Sequence, residues 1–163
     1  MNDTDGSAAR NVPLLARIPP PVQYAVAFLA GVALDRFSPW RPGWMATASL
    51  RWAGFALVLA GCALAASAAG RFVLRRTTLD PTGEPSRLVV NGAHARSRNP
   101  MYLSLTVAYV GLALALGLAW PLVLVLVPWA SMNWITIPFE ERRLIEIFGE
   151  DYADYCRRVR RWI

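Results

Sequence analysis

The feature that most constrains this chain is an uncharged stretch, residues 99–139, in which Asp, Glu, Lys, Arg and His are all absent. A single helical crossing of a bilayer takes about 20 residues, so this stretch is long enough to cross twice. Gly117 and Pro121 near its middle predict a tight turn between two helices. The sequence therefore predicts a helical hairpin in a membrane, with helices over residues 100–118 and 120–137.

Polar, charged segments adjoin the hairpin at both of its ends. The first is LVVNGAHARSRNPMY, residues 88–102, and the second is PFEERRLIEIFGEDYADYCRRV, residues 138–159. Helical spacing of the apolar residues, interrupted by Gly149, predicts two C-terminal amphipathic helices over 138–148 and 150–160. Because both ends of a hairpin lie on one side of the membrane, we expect the two segments to form one polar site there.

Two further membrane helices are predicted upstream of the hairpin, over residues 21–37 and 50–71. The first is short and ends on Asp35 and Arg36, so an interfacial helix is the alternative reading for it. The second carries no charge over residues 52–70 and is rich in small residues, which allow helices to approach closely in lipid. The hydrophobic fraction of 55% agrees with this reading, because it exceeds that of ordinary soluble domains.

The predicted fold is an all-α membrane protein with about four transmembrane helices. A polar cytosolic loop and the C-terminal amphipathic helices form the site. Residues 1–18 are expected to be a disordered tail, and residues 19–163 a single membrane domain.

The distribution of arginines predicts the orientation of the chain. All 17 basic residues are arginine; two precede the first predicted helix, six follow the second and six follow the fourth. The positive-inside rule therefore favours cytoplasmic N- and C-termini. The net charge of +6 is consistent with nucleic-acid binding in principle, but these arginines flank apolar runs, so membrane lipids and not nucleic acid are the expected partners.

Two adjacent carboxylates, Glu140 and Glu141, are the main candidates for chemistry. The interpretation without a function is that both lie in the solvated first turn of a helix, where the helix dipole favours negative charge. Charged groups at membrane depth are costly and usually have a partner, and Arg98, immediately before the hairpin, is the candidate partner. With His94 as the only histidine and two separated cysteines, no metal site is predicted.

The two polar segments, in this order around a hairpin, resemble the isoprenylcysteine carboxyl methyltransferase and phosphatidylethanolamine N-methyltransferase superfamily. The resemblance runs from about Thr78 to the C-terminus and implies an integral-membrane methyltransferase that uses S-adenosyl-L-methionine at the cytoplasmic face. It implies catalytic roles for Arg98 and Glu140. The cofactor-binding residues that it implies are Leu88, Val89, His94, Asn99, Pro100, Met101, Tyr102, Glu140 and Glu141.

The chain departs from the pattern of that superfamily at four positions. His94 stands where a tyrosine is usual, Asn99 where a histidine is usual, and Ser104 where a glycine is usual. The prenylcysteine enzymes of that superfamily resemble one another in having an arginine at the position that Thr136 occupies here. The absence of this arginine argues against carboxyl methylation of a prenylated cysteine. These positions are where we expect the acceptor to differ.

Two functions of different classes follow from the sequence. The first is S-adenosylmethionine-dependent methyl transfer to a small or lipophilic thiol, amine or carboxylate at a bacterial inner membrane. A dinucleotide-type G-x-G-x-x-G motif is absent, which agrees with a membrane methyltransferase that lacks a Rossmann sheet. The alternative is a non-catalytic membrane scaffold or partner protein that retains the fold. The sequence indicates neither the identity of the acceptor nor an oligomeric state.

Overall fold

A computed structural model describes residues 12–74 and 88–163 of the protein, with the backbone alone for 71–74. Three short turns join or interrupt the helices: two 3-10 turns and one π-helical turn. Within the described residues there is no β-strand, and the predicted all-α class is confirmed. The helices are α1 (Leu14–Arg17), α2 (Pro20–Phe37), α3 (Ala48–Leu74), α4 (Pro100–Leu116), α5 (Ala119–Leu124), α6 (Leu126–Ser131), α7 (Ile137–Phe148) and α8 (Glu150–Arg158).

Two stretches of helix are long and apolar enough to cross a membrane. They are Ala48–Gly70, in α3, and Ala119–Phe148, which includes α5, α6 and α7. Between them, Pro100–Leu116 is a shorter apolar helix. Helix α2 has 18 residues but ends on charged side chains and is not one of the two. The chain is therefore a helical membrane protein, and the crossing of the bilayer by α2 stays a prediction.

The predicted N-terminal tail contains one ordered helical turn. Leu14–Arg17 forms α1, and the side-chain amide of Gln23 donates hydrogen bonds to the carbonyl oxygens of Leu15 at 2.8 Å and Ile18 at 3.0 Å. These bonds attach the turn to α2, which is the reason that this part of the tail differs from the expectation of disorder. Residues 1–11 of the tail, and residues 75–87 of the predicted polar loop, lie outside the described residues.

The structure also differs from the predicted boundary between residues 137 and 138. The helix continues through Pro138 to Phe148, and the residues before it, Met132–Thr136, form a π-helical turn. A proline inside a helix lacks an N–H donor and its ring crowds the carbonyl four residues earlier, here that of Trp134. A local π-helical adjustment of this kind accommodates proline without ending a membrane helix.

Close contact between α3 and α4 is the most extensive helix packing in the described structure. It depends on glycines that face each other. A Cβ added at Gly111 would lie 2.7 Å from the carbonyl oxygen of Gly54 and 2.7 Å from the backbone nitrogen of Val58. Because lipid offers no hydrophobic drive for helix association, such backbone contact is what stabilises the pair.

The remaining helices assemble around an aromatic core. Helix α2 crosses α5 where Gly31 lies against Pro121. A Cβ added at Gly31 would lie 2.6 Å from the backbone nitrogen of Pro121. The ring of Tyr109 meets those of Tyr24 and Phe28 edge-on, at centroid distances of 6.0 and 5.1 Å. Four further buried side chains belong to the same core: Ala27, Val125, Met132 and Ile137.

A polar contact closes the end of the bundle opposite the C-terminal helices. Asp35, whose side chain is only 5% exposed, accepts two hydrogen bonds from the guanidinium of Arg41, at 2.5 and 2.6 Å. The indole N–H of Trp120 donates to the carbonyl oxygen of Ser38 at 2.7 Å. These bonds join the loop after α2 to the start of α5.

We predict that Gly111→Ala destabilises the protein by about 1–3 kcal/mol, the usual cost of overpacking a well-packed interior. The added methyl group meets backbone atoms of α3, which cannot move away as a side chain can. Thermal unfolding in detergent measures the effect. Gly70→Ala is the matched control, because no atom from another part of the described chain lies within 4 Å of an added Cβ there. Equal thermal midpoints for the two variants would contradict the prediction.

Candidate functional site

The first polar segment approaches α4 through one tight turn. Residues 88–90 form no helix or strand, and Gly92–Ala95 then forms a 3-10 turn that begins with Gly92 at φ 69°. A residue without a Cβ adopts this left-handed conformation at little cost. Pro100 occupies the first turn of α4, where its missing N–H leaves no helical hydrogen bond unmade. The polar side chains of the segment therefore lie at the end of the bundle where α4 begins.

The chain after α8 runs alongside this segment and is hydrogen-bonded to it. The backbone N–H of Arg98 donates to the carbonyl oxygen of Arg160 at 3.0 Å. The side-chain amide of Asn99 donates to the carbonyl oxygen of Arg161 at 3.1 Å. The residues that directly follow the second predicted segment are therefore in contact with the first segment.

An ionic cluster joins three parts of the chain at the same end of the bundle. Glu141 accepts a hydrogen bond from Arg98 at 2.9 Å through Oε1. It accepts two more from Arg161, at 2.6 Å through Oε2 and at 3.3 Å through Oε1. The side chains of Arg98 and Glu141 are 14% and 16% exposed, so both charges are largely removed from solvent. Each oxygen of Glu141 is thus engaged by a guanidinium.

Arg98 also secures the end of α8. Its other terminal nitrogen donates to the carbonyl oxygens of Cys156 at 3.1 Å and Val159 at 3.0 Å. The last carbonyls of a helix have no partner inside the helix, and a cation suits the negative end of the helix dipole. One guanidinium therefore connects α8 to the carboxylate on α7.

Glu140 makes a different contact. Its Oε1 accepts a hydrogen bond from the hydroxyl of Tyr102 at 2.5 Å, which links α7 to the first turn of α4. One turn further along α4, the hydroxyl of Thr106 donates to the carbonyl oxygen of Tyr102 at 2.9 Å. Because that carbonyl can only accept, the hydroxyl of Tyr24 is the donor in its 2.7 Å contact with Thr106. These bonds tie α2, α4 and α7 together.

The residues singled out from the sequence differ in whether they contact one of the two glutamates. The predicted pairing of Arg98 with the glutamates is found, at Glu141. Tyr102 contacts Glu140, whereas Met101 points away and is 39% exposed. The other candidates have no contact with either glutamate among the hydrogen bonds described: Val89, His94 and Pro100 are buried, and Leu88 and Asn99 are half-buried.

Three residues of this region were not singled out from the sequence: Asn133, Arg161 and Trp162. The indole N–H of Trp162 donates to the side-chain oxygen of Asn133 at 3.0 Å. Arg161 donates to the carbonyl oxygen of Asn133 at 3.3 Å as well as to Glu141. An asparagine inside an otherwise apolar run is a signal that could have identified Asn133, but nothing in the sequence distinguishes Arg161 from the other tail arginines.

Two tyrosines of α8, Tyr152 and Tyr155, are buried, and Tyr155 contacts the first segment. The hydroxyl of Tyr155 donates to the carbonyl oxygen of His94 at 2.7 Å. Burial raises the pKa of Tyr155 to about 12, although the nearby charge of Arg98 acts in the opposite direction. Burial likewise raises the pKa of Tyr152. Both side chains therefore stay neutral near pH 7, and Tyr155 keeps its O–H as a donor.

An open cavity of about 680 Å³ lies on the other side of the first segment, against α3. Its size is within the range of small-molecule sites, roughly 300–1,000 Å³. None of the cofactor residues implied by the sequence lines it. Its lining comes from the turn itself, from α3 and α4, and from the last residue: Leu64, Ser67, Gly92, Arg96, Leu103 and Ile163 among others.

These observations define a class of protein: an all-α membrane protein with a polar cluster built where its helices end. The model of the phospholipid methyltransferase family matches residues 50–151 of the chain. The match includes nearly all of α3, the first polar segment and the second as far as Asp151, with the glutamate pair, and it covers more than half of the sequence. The chain belongs to this family of membrane methyltransferases. No curated protein and no solved structure matches it.

We predict that Glu141→Gln destabilises the C-terminal region by about 2 kcal/mol or more. Removing one partner from a fully buried ion pair costs roughly 3–5 kcal/mol, and this cluster keeps some contact with water. The loss should expose the tail arginines to trypsin, so limited proteolysis in detergent measures the effect as faster cleavage after α8.

Glu150→Gln is the matched control for this variant, because it removes the same charge from a side chain that is 90% exposed. We expect its cleavage rate to equal that of the unmodified protein. If Glu141→Gln and Glu150→Gln are cleaved equally fast, the ionic cluster does not hold the tail.

Proposed function

We propose that the protein is an S-adenosylmethionine-dependent methyltransferase that acts on a small or lipophilic nucleophile at the cytoplasmic face of the membrane. Membership of the phospholipid methyltransferase family supports methyl transfer to a membrane-associated substrate. The observation that carries the finer proposal is the unequal engagement of the two glutamates. Glu141 has both oxygens hydrogen-bonded to arginines, whereas Glu140 accepts its hydrogen bond from a neutral hydroxyl.

Glu140 is therefore the carboxylate that fits the cofactor. S-adenosylmethionine carries an ammonium group and a sulfonium, and the latter supplies the methyl group that is transferred. An ionised carboxylate attracts such cations strongly in a site with limited water, and a bound cation favours the ionised form. The hydroxyl of Tyr102 would orient Glu140 by its hydrogen bond at 2.5 Å, which neutralises none of that charge.

Arg98 has a positioning role in this proposal. It was implied to be catalytic, but its terminal nitrogens are engaged by Glu141, Cys156 and Val159. A guanidinium with these partners is not available to bind an acceptor without dismantling the end of α8. It acts instead by holding α7 and α8 so that Glu140 stays beside Tyr102.

The acceptor proposed here is a thiol, amine or carboxylate that reaches the site from the bilayer. Thr136 lies one helical turn before Glu140 and is only 4% exposed. Its hydroxyl is buried, and no hydrogen-bond partner for it lies in the described part of the chain. A small polar group that faces the bundle at this depth favours a neutral or small acceptor group over one that needs an arginine.

The distribution of arginines supports a location in a bacterial inner membrane with both termini in the cytoplasm. We predict that an impermeant maleimide labels Gly43→Cys in intact cells and labels Glu150→Cys only after permeabilisation. Both variants are made in a chain in which Cys62 and Cys156 are replaced by serine. Gly43 and Glu150 are both exposed positions, so access to the reagent depends on the side of the membrane alone. The reverse labelling pattern would contradict the proposed orientation.

We predict that S-adenosylhomocysteine binds the detergent-purified protein and that Glu140→Gln weakens this binding roughly 10- to 100-fold. Hydrogen bonds to charged groups are worth roughly 1.5–3 kcal/mol, and the glutamine keeps an oxygen for the hydroxyl of Tyr102. Titration calorimetry gives both affinities, and Glu150→Gln serves as the control for loss of a carboxylate elsewhere.

The same titrations separate the enzyme from a non-catalytic scaffold. An absence of binding to the folded, unmodified protein at millimolar ligand would reject the methyltransferase proposal in favour of the scaffold. Binding with an unchanged affinity in Glu140→Gln would instead move the cofactor site away from Glu140.

A further inference from the structure

We propose that the 680 Å³ cavity beside α3 binds an anionic phospholipid of the surrounding bilayer. The phosphate would contact Arg96, and part of an acyl chain would lie along α3. The cavity is bounded by Leu64 and Ser67 of α3 and by Leu103 near the start of α4. It therefore lies at the end of a candidate membrane span, where the headgroups of lipids are found.

The charge in the cavity favours an anion. Arg96 is the one charged side chain in the lining contributed by the described residues, and it is exposed. Nowhere in residues 12–74 or 88–163 does a carboxylate form an ion pair with it. A guanidinium offers parallel N–H donors that match two phosphate oxygens. The adjacent cations Arg98 and Arg161 differ from Arg96 in this respect, because Glu141 already engages both.

The cavity is separate from the glutamates proposed to bind the cofactor. Leu103 lines the cavity while its neighbour Tyr102 contacts Glu140, so α4 presents the two sites on different faces. The hydroxyl of Ser97 contacts the carbonyl oxygen of Arg161 at 3.4 Å and forms part of the wall between them. The lipid site therefore does not depend on the proposed function.

The size and walls of the cavity suit a lipid better than a free phosphate ion. Gly92, Ala93 and Ala95 leave space that a single inorganic ion would not fill, and the side chains of Leu64 and Leu103 form part of its wall. Burial of a hydrocarbon chain contributes about 0.8 kcal/mol for each methylene, which a free phosphate cannot gain. The combination of one arginine and an apolar wall is therefore specific for an anionic amphiphile.

The experiment uses the full-length protein in nanodiscs of phosphatidylcholine that contain a minority of spin-labelled phosphatidylglycerol. Electron paramagnetic resonance measures the motionally restricted lipid, and spin-labelled phosphatidylcholine gives the reference. We expect a preference for phosphatidylglycerol, which Arg96→Gln should reduce about fivefold, because one basic residue near the surface contributes about 1 kcal/mol. Ser67→Trp, which fills the cavity from an exposed position, should also reduce it without removing a charge.

Arg142→Gln is the matched control, because Arg142 is an exposed arginine of α7 outside the cavity lining. It should leave the preference unchanged. An equal loss in Arg142→Gln, or an absence of preference in the unmodified protein, would reject the site. Calorimetry with S-adenosylhomocysteine on the same variants should give unchanged affinities; if Arg96→Gln weakened that binding and left the lipid preference intact, the cavity would belong to the cofactor.

Discussion

The ionic contact of Glu141 with Arg98 and Arg161 is the interaction on which the rest of the site depends. It brings together the start of α4, the middle of α7 and the chain after α8, which are far apart in the sequence. Ions that are largely removed from water persist only when their geometry and hydrogen bonds compensate for desolvation. The carbonyls at the end of α8 provide part of that compensation through Arg98. The cluster is therefore also what holds the C-terminal helices against the membrane bundle.

This contact gives two adjacent glutamates different environments. Successive residues on a helix point about 100° apart, so Glu140 and Glu141 cannot share a set of partners. Glu141 points toward the arginines, and Glu140 points toward the hydroxyl of Tyr102. A pair that looks redundant in the sequence thus separates into one carboxylate bound by two arginines and one hydrogen-bonded to a neutral hydroxyl. The bundle behind them is held by backbone contact between glycines, which requires no polar group.

Much of the fold could be predicted because lipid restricts the choices: a long uncharged stretch with a central glycine must form a helical hairpin. The pairing of Arg98 with a glutamate was likewise predictable, since a charge at that depth needs a partner. The identity of the partners was not. Asp35 pairs with Arg41 and not with the adjacent Arg36, because neighbouring residues on a helix do not face each other. The continuation of the helix through Pro138 was also missed, since a local rule for proline does not include a π-helical turn.

That π-helical turn, Met132–Thr136, has a consequence for how the length of the chain can vary. A π-helical turn is equivalent to one additional residue inserted into an α-helix, and it rotates everything that follows by about 100°. Asn133 contacts the tail from within the turn, and Glu140 and Glu141 contact their partners after it. The spacing between these residues is therefore defined to a single residue. Homologous chains that share this site should tolerate insertions in the loops but not between Asn133 and the glutamates.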